Sequence, residues 1–213
     1  MLYKLSCDKF REKSIYFNKG LNIVLGDSQA SNSIGKSSLL MIIDFAFGGN
    51  SYIKTSADAI KNLGDHKFFF TFIFEKIKYN FSRSTASPNY IQVYNSDGVK
   101  LDKWSLKKFC LFLKHSYKLN HITSSFRDIV GIYSRVWGKN NYTVDRPLHG
   151  FSRESSKVAL NKLLKLYNKY DVINENEQNL DELESTSKAI KLVSKVNLYP
   201  KINKRTFNSN VKK

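Results

Sequence analysis

The chain begins with two short segments that are rich in apolar residues, as β-strands that contribute to a core are. Residues 2–6 and 14–17 stand on either side of the basic segment "DKFREK" and predict the two strands of a hairpin. Gly20 then predicts a turn into residues 21–25, a mostly apolar segment. We expect a third strand there.

A nearly continuous apolar pattern over residues 38–47 predicts a helix buried against a sheet. The apolar positions occupy almost every side of such a helix, at Leu39, Leu40, Ile42, Ile43, Phe45 and Phe47. Gly48-Gly49-Asn50 follows and predicts the end of this helix.

From His66 onwards the pattern changes to strands. "HKFFFTFIFE" and "KIKYNFSRS" predict adjacent antiparallel strands, and we interpret the aromatic residues 68–74 as sheet core rather than as a surface for stacking bases. "NYIQVYN" and "VKLDKW", joined by Ser96-Asp97-Gly98, predict a further hairpin. Ser105 is expected to cap a helix with an apolar face, and a second helix is expected over residues 125–136.

The C-terminal part predicts a helical projection. Leu160, Leu163, Leu164 and Tyr167 share one helical face, and an acid-rich segment, "DVINENEQNLDELES", follows them. After Glu184 there are eight Lys or Arg residues and no acid. We expect helices with coiled-coil-like stretches and then a loose basic tail.

Composition and charge restrict the class of protein. The chain of 213 residues is 41% hydrophobic, which is enough for a core, and no apolar run approaches the length of a membrane span. The two cysteines match no metal or redox spacing, so we expect buried free thiols in a cytoplasmic protein. A net charge of +17 attracts polyanions, nucleic acid first, although Lys-rich genomes also produce basic proteins without that role.

The segment "GDSQASNSIGKSS" lies between the predicted strand and the predicted helix, which is the context of a phosphate-binding P-loop. There Lys36 would neutralise the β- and γ-phosphates, and the Ser37 hydroxyl would hold Mg²⁺. The strict pattern fails, because Gly26 stands nine residues before Gly35 instead of five and Ala30 occupies the usual glycine position. The alternative is a strand–helix turn that binds nothing.

A wider window resembles a known family. "FREKSIYFNKGLNIVLG" and "SNSIGKSSLLMIIDFAFGG" resemble the N-terminal lobe of the SMC, RecN and DNA-repair ABC-type ATPases, in a bacterial subgroup with an elongated loop. The matching positions are Phe10, Arg11, Gly20, Asn22, Gly26, Asn32, Gly35, Lys36, Ser37, Ser38 and Leu39. The departures are four extra loop residues and Ser33 where glycine is usual; the resemblance covers about residues 1–170.

The resemblance implies an α/β fold, a P-loop NTPase half-domain with an antiparallel β subdomain and a C-terminal helical extension. We expect the ATPase lobe over 1–150, the helical projection over 151–200 and the basic tail over 201–213. It implies ATP and Mg²⁺ as cofactors, with Ser37 as the metal ligand and Arg11 near the base or ribose. The expected phosphate-binding residues are Asn32, Ser33, Ile34, Gly35, Lys36, Ser37 and Ser38.

Hydrolysis needs parts that this sequence does not contain. We find no Walker B strand and no Leu-Ser-Gly-Gly-type signature, which the resembled family carries in a C-terminal lobe. Asp44 in "MIIDF" is expected in a polar network or on the helix surface, and Gln29, Gln92 and Gln178 do not stand at a lobe junction. The chain is therefore expected to be half of an enzyme, completed by another lobe or self-associated, with DNA as a further partner.

Other residues have less specific expectations. Arg83 is expected to be a solvated strand-end residue, with phosphate or DNA contact as the alternative, and Arg127 and Arg135 would share one helix face. The four histidines are scattered and predict no metal site. Two other functions remain open: a basic nucleic-acid-binding module without nucleotide binding, and an interaction subunit whose helical tail docks a partner.

Overall fold

The computed structural model describes residues 1–24, 35–134, 139–140, 143–195 and 204–211. The chain divides into two compact units, Met1–Asn168 and Lys169–Lys213. The first unit is an α/β structure that contains an antiparallel sheet, with strands of different lengths, and the helices packed on it.

Six antiparallel strands form the sheet of the first unit, in the order β2-β1-β3-β4-β5-β6. Their bounds are β1 Leu2–Ser6, β2 Ser14–Tyr16, β3 Lys67–Phe74, β4 Ile77–Ser84, β5 Tyr90–Tyr94 and β6 Lys100–Ser105. The three predicted hairpins are confirmed, since β1 pairs with β2, β3 with β4 and β5 with β6. Antiparallel pairing between β1 and β3 joins the first hairpin to the rest of the sheet.

The helices of the first unit are α1 Lys36–Ala46, α2 Ser51–Thr55, α3 Ala57–Leu63, α4 Leu106–Ser116, α5 Phe126–Tyr133 and α6 Ser156–Leu166. The predicted helix starts at Ser105 and Ser125 are confirmed. The Ser105 hydroxyl accepts a hydrogen bond from the backbone N–H of Lys108, and Ser125 forms a capping box with Asp128. The last residues of the predicted second helix, 135–136, lie outside the described residues.

Alternate residues of β3 form the centre of the core. Phe68, Phe70 and Phe72 are buried against α1 and α4, where Phe45 and Phe109 contact them. The interpretation of this aromatic segment as sheet core is confirmed for these residues. The intervening residue Phe69 points to the other face and is 43% exposed, as the period of two requires.

The third strand expected over residues 21–25 is wrong for the residues that the structure describes. Residues 21–24 have no regular structure, and the Leu21 and Ile23 side chains are 84% and 67% exposed. Instead, the Asn22 side chain closes a local turn by accepting from the Asn18 N–H and donating to the Asn18 carbonyl. A strand needs a neighbouring strand for its backbone hydrogen bonds, and the described sheet places none beside this segment.

Arg83 is a second correction, because it is buried and not a solvated strand-end residue. Its side chain is 1% exposed, and its guanidinium carbon lies 3.8 Å from the centroid of the Phe45 ring. It donates to the carbonyls of Phe45 and Gly49, both at 2.7 Å, to the Pro88 carbonyl at 2.6 Å and to Asn50 Oδ1 at 2.7 Å. Arg83 therefore joins β4 to the C-terminal end of α1, where helix carbonyls lack intrahelical donors.

The second unit contains α7 Tyr170–Lys195 and α8 Lys204–Val211. None of the α7 residues is buried, and its exposed apolar residues are Val172, Leu180, Leu183, Ile190 and Leu192. Residues 204–211 of the expected loose tail are helical. The three-part domain division remains a prediction. No helix within the described ranges combines the length and the apolar composition that crossing a bilayer requires.

Candidate functional site

The first turn of α1 presents backbone donors to solvent. Gly35 precedes the helix with φ 80°, a left-handed conformation that favours glycine, and its carbonyl accepts from the Leu39 N–H at 2.8 Å. The first N–H groups of a helix have no intrahelical acceptor, and Gly35 has no side chain to cap them. Lys36, Ser37 and Ser38 are all exposed. Among the described residues, no side chain caps this helix end, which combines backbone donors, the positive end of the helix dipole and an ammonium group, and these favour an anion.

A cavity of about 420 Å³ lies beside this helix end. Its lining contains Gly35, which precedes α1, Ser38 from α1 and Arg11 from the loop between β1 and β2, so the structure brings three of the predicted site residues together. Lys36 and Ser37 stand in the same helical turn but do not line the cavity. The predicted residues Asn32, Ser33 and Ile34 lie outside the described residues.

The inner walls of the cavity are mostly apolar and aromatic. Phe10, Leu39, Ile42, Tyr52, Leu63 and Phe68 supply most of this surface. Lys9 and Arg11 add positive charge, and Glu12 adds one acid. An apolar wall next to a cationic mouth suits a ligand with a flat apolar part and an anionic part.

Two wall residues were missed by the sequence analysis, Tyr52 and His66. The Tyr52 hydroxyl lies 2.9 Å from His66 Nε2, and His66 Nδ1 lies 2.7 Å from the Gly64 carbonyl. Burial, with a smaller contribution from Cys7, raises the pKa of Tyr52 to about 12, so the phenol is neutral at physiological pH. Tyr52 is on α2 and His66 is the residue before β3, and nothing in their spacing of 14 residues indicated the contact.

Comparison with known proteins identifies the family of this chain. A protein-family model described as an AAA domain matches residues 7–209. The chain belongs to this AAA-domain family. No curated protein matches it significantly. The family is a nucleotide-binding, ATPase-like one, whose members generally bind ATP with Mg²⁺.

In this AAA domain, the acidic residue of the first helix has cationic partners. Asp44 is 1% exposed, and its Oδ1 atom accepts from Arg127 Nη2 at 2.5 Å and from Lys139 Nζ at 3.0 Å. The expectation that Asp44 belongs to a polar network is confirmed. Burial by itself raises the pKa of Asp44, but attraction by Arg127 and Lys139 outweighs burial, and the pKa lies below the ordinary aspartate value.

The remaining polar candidates of the AAA domain either form hydrogen bonds within the fold or lie on other segments of the chain. Arg127 also donates to the Phe47 carbonyl at 2.9 Å, whereas Arg135 lies outside the described residues. Gln92 donates to the Asp102 carbonyl at 2.8 Å within the sheet, and Gln178 is on α7. Within the described ranges, no group of three or more His, Cys, Asp or Glu side chains is placed to hold a metal ion.

The two thiols differ in burial and neither forms a disulfide. Cys7 is buried, and Cys110 is intermediate in exposure. Burial raises the pKa of Cys7 to about 11, and burial also raises the pKa of Cys110 despite the nearby Arg127 and Arg83. Both thiols are therefore protonated and weakly reactive at neutral pH.

Proposed function

We propose that this AAA domain is the ATP-binding N-terminal half of an SMC/RecN-like ATPase. One observation carries the proposal: the exposed first turn of α1 opens on the same cavity as Arg11. The P-loop residues and the Phe-Arg pair are distant in the sequence, and a nucleotide needs both a phosphate site and a base or ribose site. Membership of the AAA-domain family supports the same conclusion.

The proposed roles follow from the chemistry of each side chain. Lys36 neutralises the β- and γ-phosphates, and the Ser37 hydroxyl is a ligand of the Mg²⁺ ion. The N–H groups of the first turn donate to phosphate oxygens, together with the 32–34 segment. Arg11 contacts the base or ribose side of the nucleotide, because it lines the apolar cavity next to Phe10.

Turnover requires a second lobe in this proposal. Asp44 is already paired with Arg127 and Lys139, so it is not free to hold Mg²⁺ or orient water. The exposed apolar segment 21–24 has the composition of a strand without a neighbour, which supports a lobe that supplies one. The chain alone therefore binds nucleotide without hydrolysing it.

Titration calorimetry with Mg-ATP tests the phosphate site. We expect micromolar or weaker binding, roughly −8 kcal/mol or less favourable, because a lone lobe offers one face of the usual ATP sandwich. Lys36→Ala should abolish the heat of binding. Lys54→Ala removes another exposed lysine, on α2, and should leave it unchanged. Equal heats for wild type and Lys36→Ala would remove the P-loop assignment.

Inorganic tripolyphosphate separates the two halves of the site. Arg11→Ala should weaken ATP binding but leave tripolyphosphate binding unchanged, since the latter has no base or ribose. Lys36→Ala should weaken both ligands. If Arg11→Ala weakens ATP and tripolyphosphate equally, the role of Arg11 on the base side is wrong while the phosphate site stands.

A nucleic-acid-binding role is the second candidate, and the net charge of +17 favours it. DNA association also fits the resembled family. If the nucleotide site is degenerate, salt-dependent DNA binding will persist unchanged in Lys36→Ala while ATP binding is absent from the wild type. If ATP and DNA binding are both present, the two functions coexist.

A further inference from the structure

The outer face of the sheet, opposite α1, has lysines and no acids among its outward-pointing positions. The strand register places one group of outward residues on β3 to β6: Lys67, Phe69, Thr71, Lys78, Asn80, Ser82, Ser84, Tyr90, Gln92, Tyr94, Lys100 and Lys103. Asp102, the acid of β6, pairs with Val93 on the other face and binds Trp104 and Lys108. The charged residues at these outward positions are therefore all lysines.

Aromatic rings stand among these lysines. Phe69 and Tyr90 are 43% and 49% exposed, and the Phe69 ring lies 6.0 Å from that of Tyr94. Lys103 Nζ lies 4.3 Å from the centroid of the Tyr90 ring. Exposed aromatic rings that lie together and are rimmed by polar residues are typical of binding surfaces. Positive charge beside uncovered rings is the combination that base stacking and phosphate contact require.

The centre of this face is a shallow polar depression of about 170 Å³. Its lining contains Lys67, Lys100 and Lys103 together with the hydroxyl groups of Ser82, Ser84, Ser87, Tyr90 and Tyr94. The Ser82 and Tyr94 hydroxyls lie 3.0 Å apart and hold each other in place. The acids of the flanking turns have local partners, since Asp65 accepts from Thr85 and Asp97 from Asn95.

We propose that this outer face binds single-stranded nucleic acid, with bases stacked on Phe69 and Tyr90 and phosphates on Lys67, Lys100 and Lys103. A single strand is favoured over a duplex because a duplex buries its bases and would leave both rings uncovered. Charge complementarity favours a polyanion over a neutral protein surface. β4 lies between β3 and β5, so the strands that carry the two rings are two spacings of about 4.8 Å apart, and an extended single strand that crosses the sheet can reach both rings.

The proposed surface does not depend on the nucleotide site. α1 packs on the inner face of the sheet, where Phe45 contacts Phe68, and the cavity beside Gly35 lies on that side. Lys36→Ala should therefore leave single-strand binding unchanged. The two proposals fail separately, because loss of ATP binding reports on α1 and loss of oligonucleotide binding reports on the sheet.

Fluorescence anisotropy of the full chain with a labelled oligothymidine and with a hairpin duplex of equal charge tests the charges. Replacing Lys67, Lys100 and Lys103 by Gln should weaken single-strand binding at least about 10-fold at 0.1 M salt and reduce the salt slope by about 2, for three phosphate contacts. The matched control replaces Lys54, Lys61 and Lys107, exposed lysines of α2, α3 and α4, and should change neither quantity beyond about twofold.

The rings are tested by paired substitutions. Phe69→Ala and Tyr90→Ala should each weaken single-strand binding at least about fivefold without changing the salt slope, whereas Phe69→Tyr and Tyr90→Phe retain binding because each keeps its ring. Circular dichroism checks that the variants are folded. The proposal is overturned if the duplex binds as tightly as the single strand, if the ring variants bind like wild type, or if both lysine triples weaken binding equally.

Discussion

The Asp44 carboxylate on α1 accepts a hydrogen bond from the Arg127 guanidinium on α5 at 2.5 Å. Arg127 also donates to the Phe47 carbonyl, so one side chain binds both the last turn of α1 and the residue that caps it. The second carboxylate oxygen of Asp44 is buried without a hydrogen-bond partner among the described residues. Asp44 therefore depends on Arg127 and Lys139 for its charge balance.

Replacing Asp44 by Asn should destabilise the first unit strongly. The change leaves Arg127 and Lys139 partly buried without their counter-charge, and breaking one side of a buried ion pair costs about 3–5 kcal/mol. Urea denaturation followed by circular dichroism measures the free energy of unfolding. Glu184→Gln, which removes an exposed pair with Lys188, should change it by less than about 1 kcal/mol. Equal effects of the two changes would contradict the structural role of Asp44.

The same carboxylate predicts a loss of stability in acid. The pKa of Asp44 is lower in the folded chain than in the unfolded one, so its contribution is fully present above the unfolded value, about 3.9. This contribution is lost as the pH falls through the lower folded value. Between about pH 5 and pH 2, wild type should lose more unfolding free energy than Asp44→Asn. Parallel losses in both proteins would show that Asp44 does not titrate in this way.

Gly49→Ala should disturb the same ion pair from the opposite side. A Cβ atom at Gly49 would stand 2.0 Å from the Asp44 Oδ2 atom, so the carboxylate would have to move away from Arg127. We expect a loss of about 1–3 kcal/mol by denaturation. Gly131→Ala, inside α5, is the matched control. A Cβ atom at this position has no neighbour nearer than 3.9 Å, so the substitution should be neutral or stabilising. Near-additive losses in Asp44→Ala/Gly49→Ala would mean that the two sites are independent.

Arg83 should be more important for stability than its position at a strand end suggests. Arg83→Met removes charge-assisted hydrogen bonds to the Phe45, Gly49 and Pro88 carbonyls, and a hydrogen bond to a charged group contributes about 1.5–3 kcal/mol. The Phe45 carbonyl keeps the Gly48 N–H as a donor. We expect a loss above about 3 kcal/mol by thermal or urea denaturation, with Arg83→Lys intermediate because an ammonium reaches fewer of these acceptors.

Arg153→Met, at an exposed position, is the control for the Arg83 variants and should be within about 0.5 kcal/mol of wild type. Burial lowers the pKa of Arg83 to about 10, so the side chain remains charged at neutral pH. A wild-type-like Arg83→Met would contradict the role of Arg83 in joining β4 to α1.

The chain alone should have negligible ATPase activity. Within the described residues, Asp44 already has two cationic partners, and the acid in the lining of the cavity is Glu12, next to Arg11 on the side assigned to the base or ribose. Phosphate release should equal the buffer background in a coupled assay. Release that exceeds background and disappears in Ser37→Ala would require a hydrolytic residue within this chain and a new role for Asp44.

Self-association should increase with salt. Leu21, Ile23 and Val24 are exposed apolar residues, and no strand of the described sheet lies beside them. The charge of +17 opposes association only while it is unscreened. At about 0.5 M salt the Debye length falls to a few Å, so light scattering should show larger species. Leu21→Asn with Ile23→Asn should suppress them, and a partner supplying the second lobe should do the same.

A monodisperse wild-type monomer in high salt, with a cooperative melt above about 60 °C, would contradict the half-enzyme proposal. In that case the first unit would be self-sufficient, and the exposed apolar segment 21–24 would need another explanation.

The sequence by itself determined the elements whose patterns are local. The three hairpins, the α1 helix and the caps at Ser105 and Ser125 follow from alternation, helical spacing and short-range hydrogen bonds. The pattern predicts α1 from residue 38, and the helix begins two residues earlier, at Lys36. Arg11 and Lys36 are visible in the sequence as candidates because each belongs to a contiguous motif.

Only the tertiary structure decided which distant residues meet. The segment 21–24 looks like a strand, but strand formation depends on a neighbour that the pattern cannot supply. Arg83 looks like a surface residue, but it is buried because the carbonyls at the end of α1, about 35 residues earlier, satisfy its donors in the fold. The Tyr52–His66 and Asp44–Arg127 contacts have the same origin. These contacts form between chain segments that the sheet brings together, and no local pattern in the sequence predicts them.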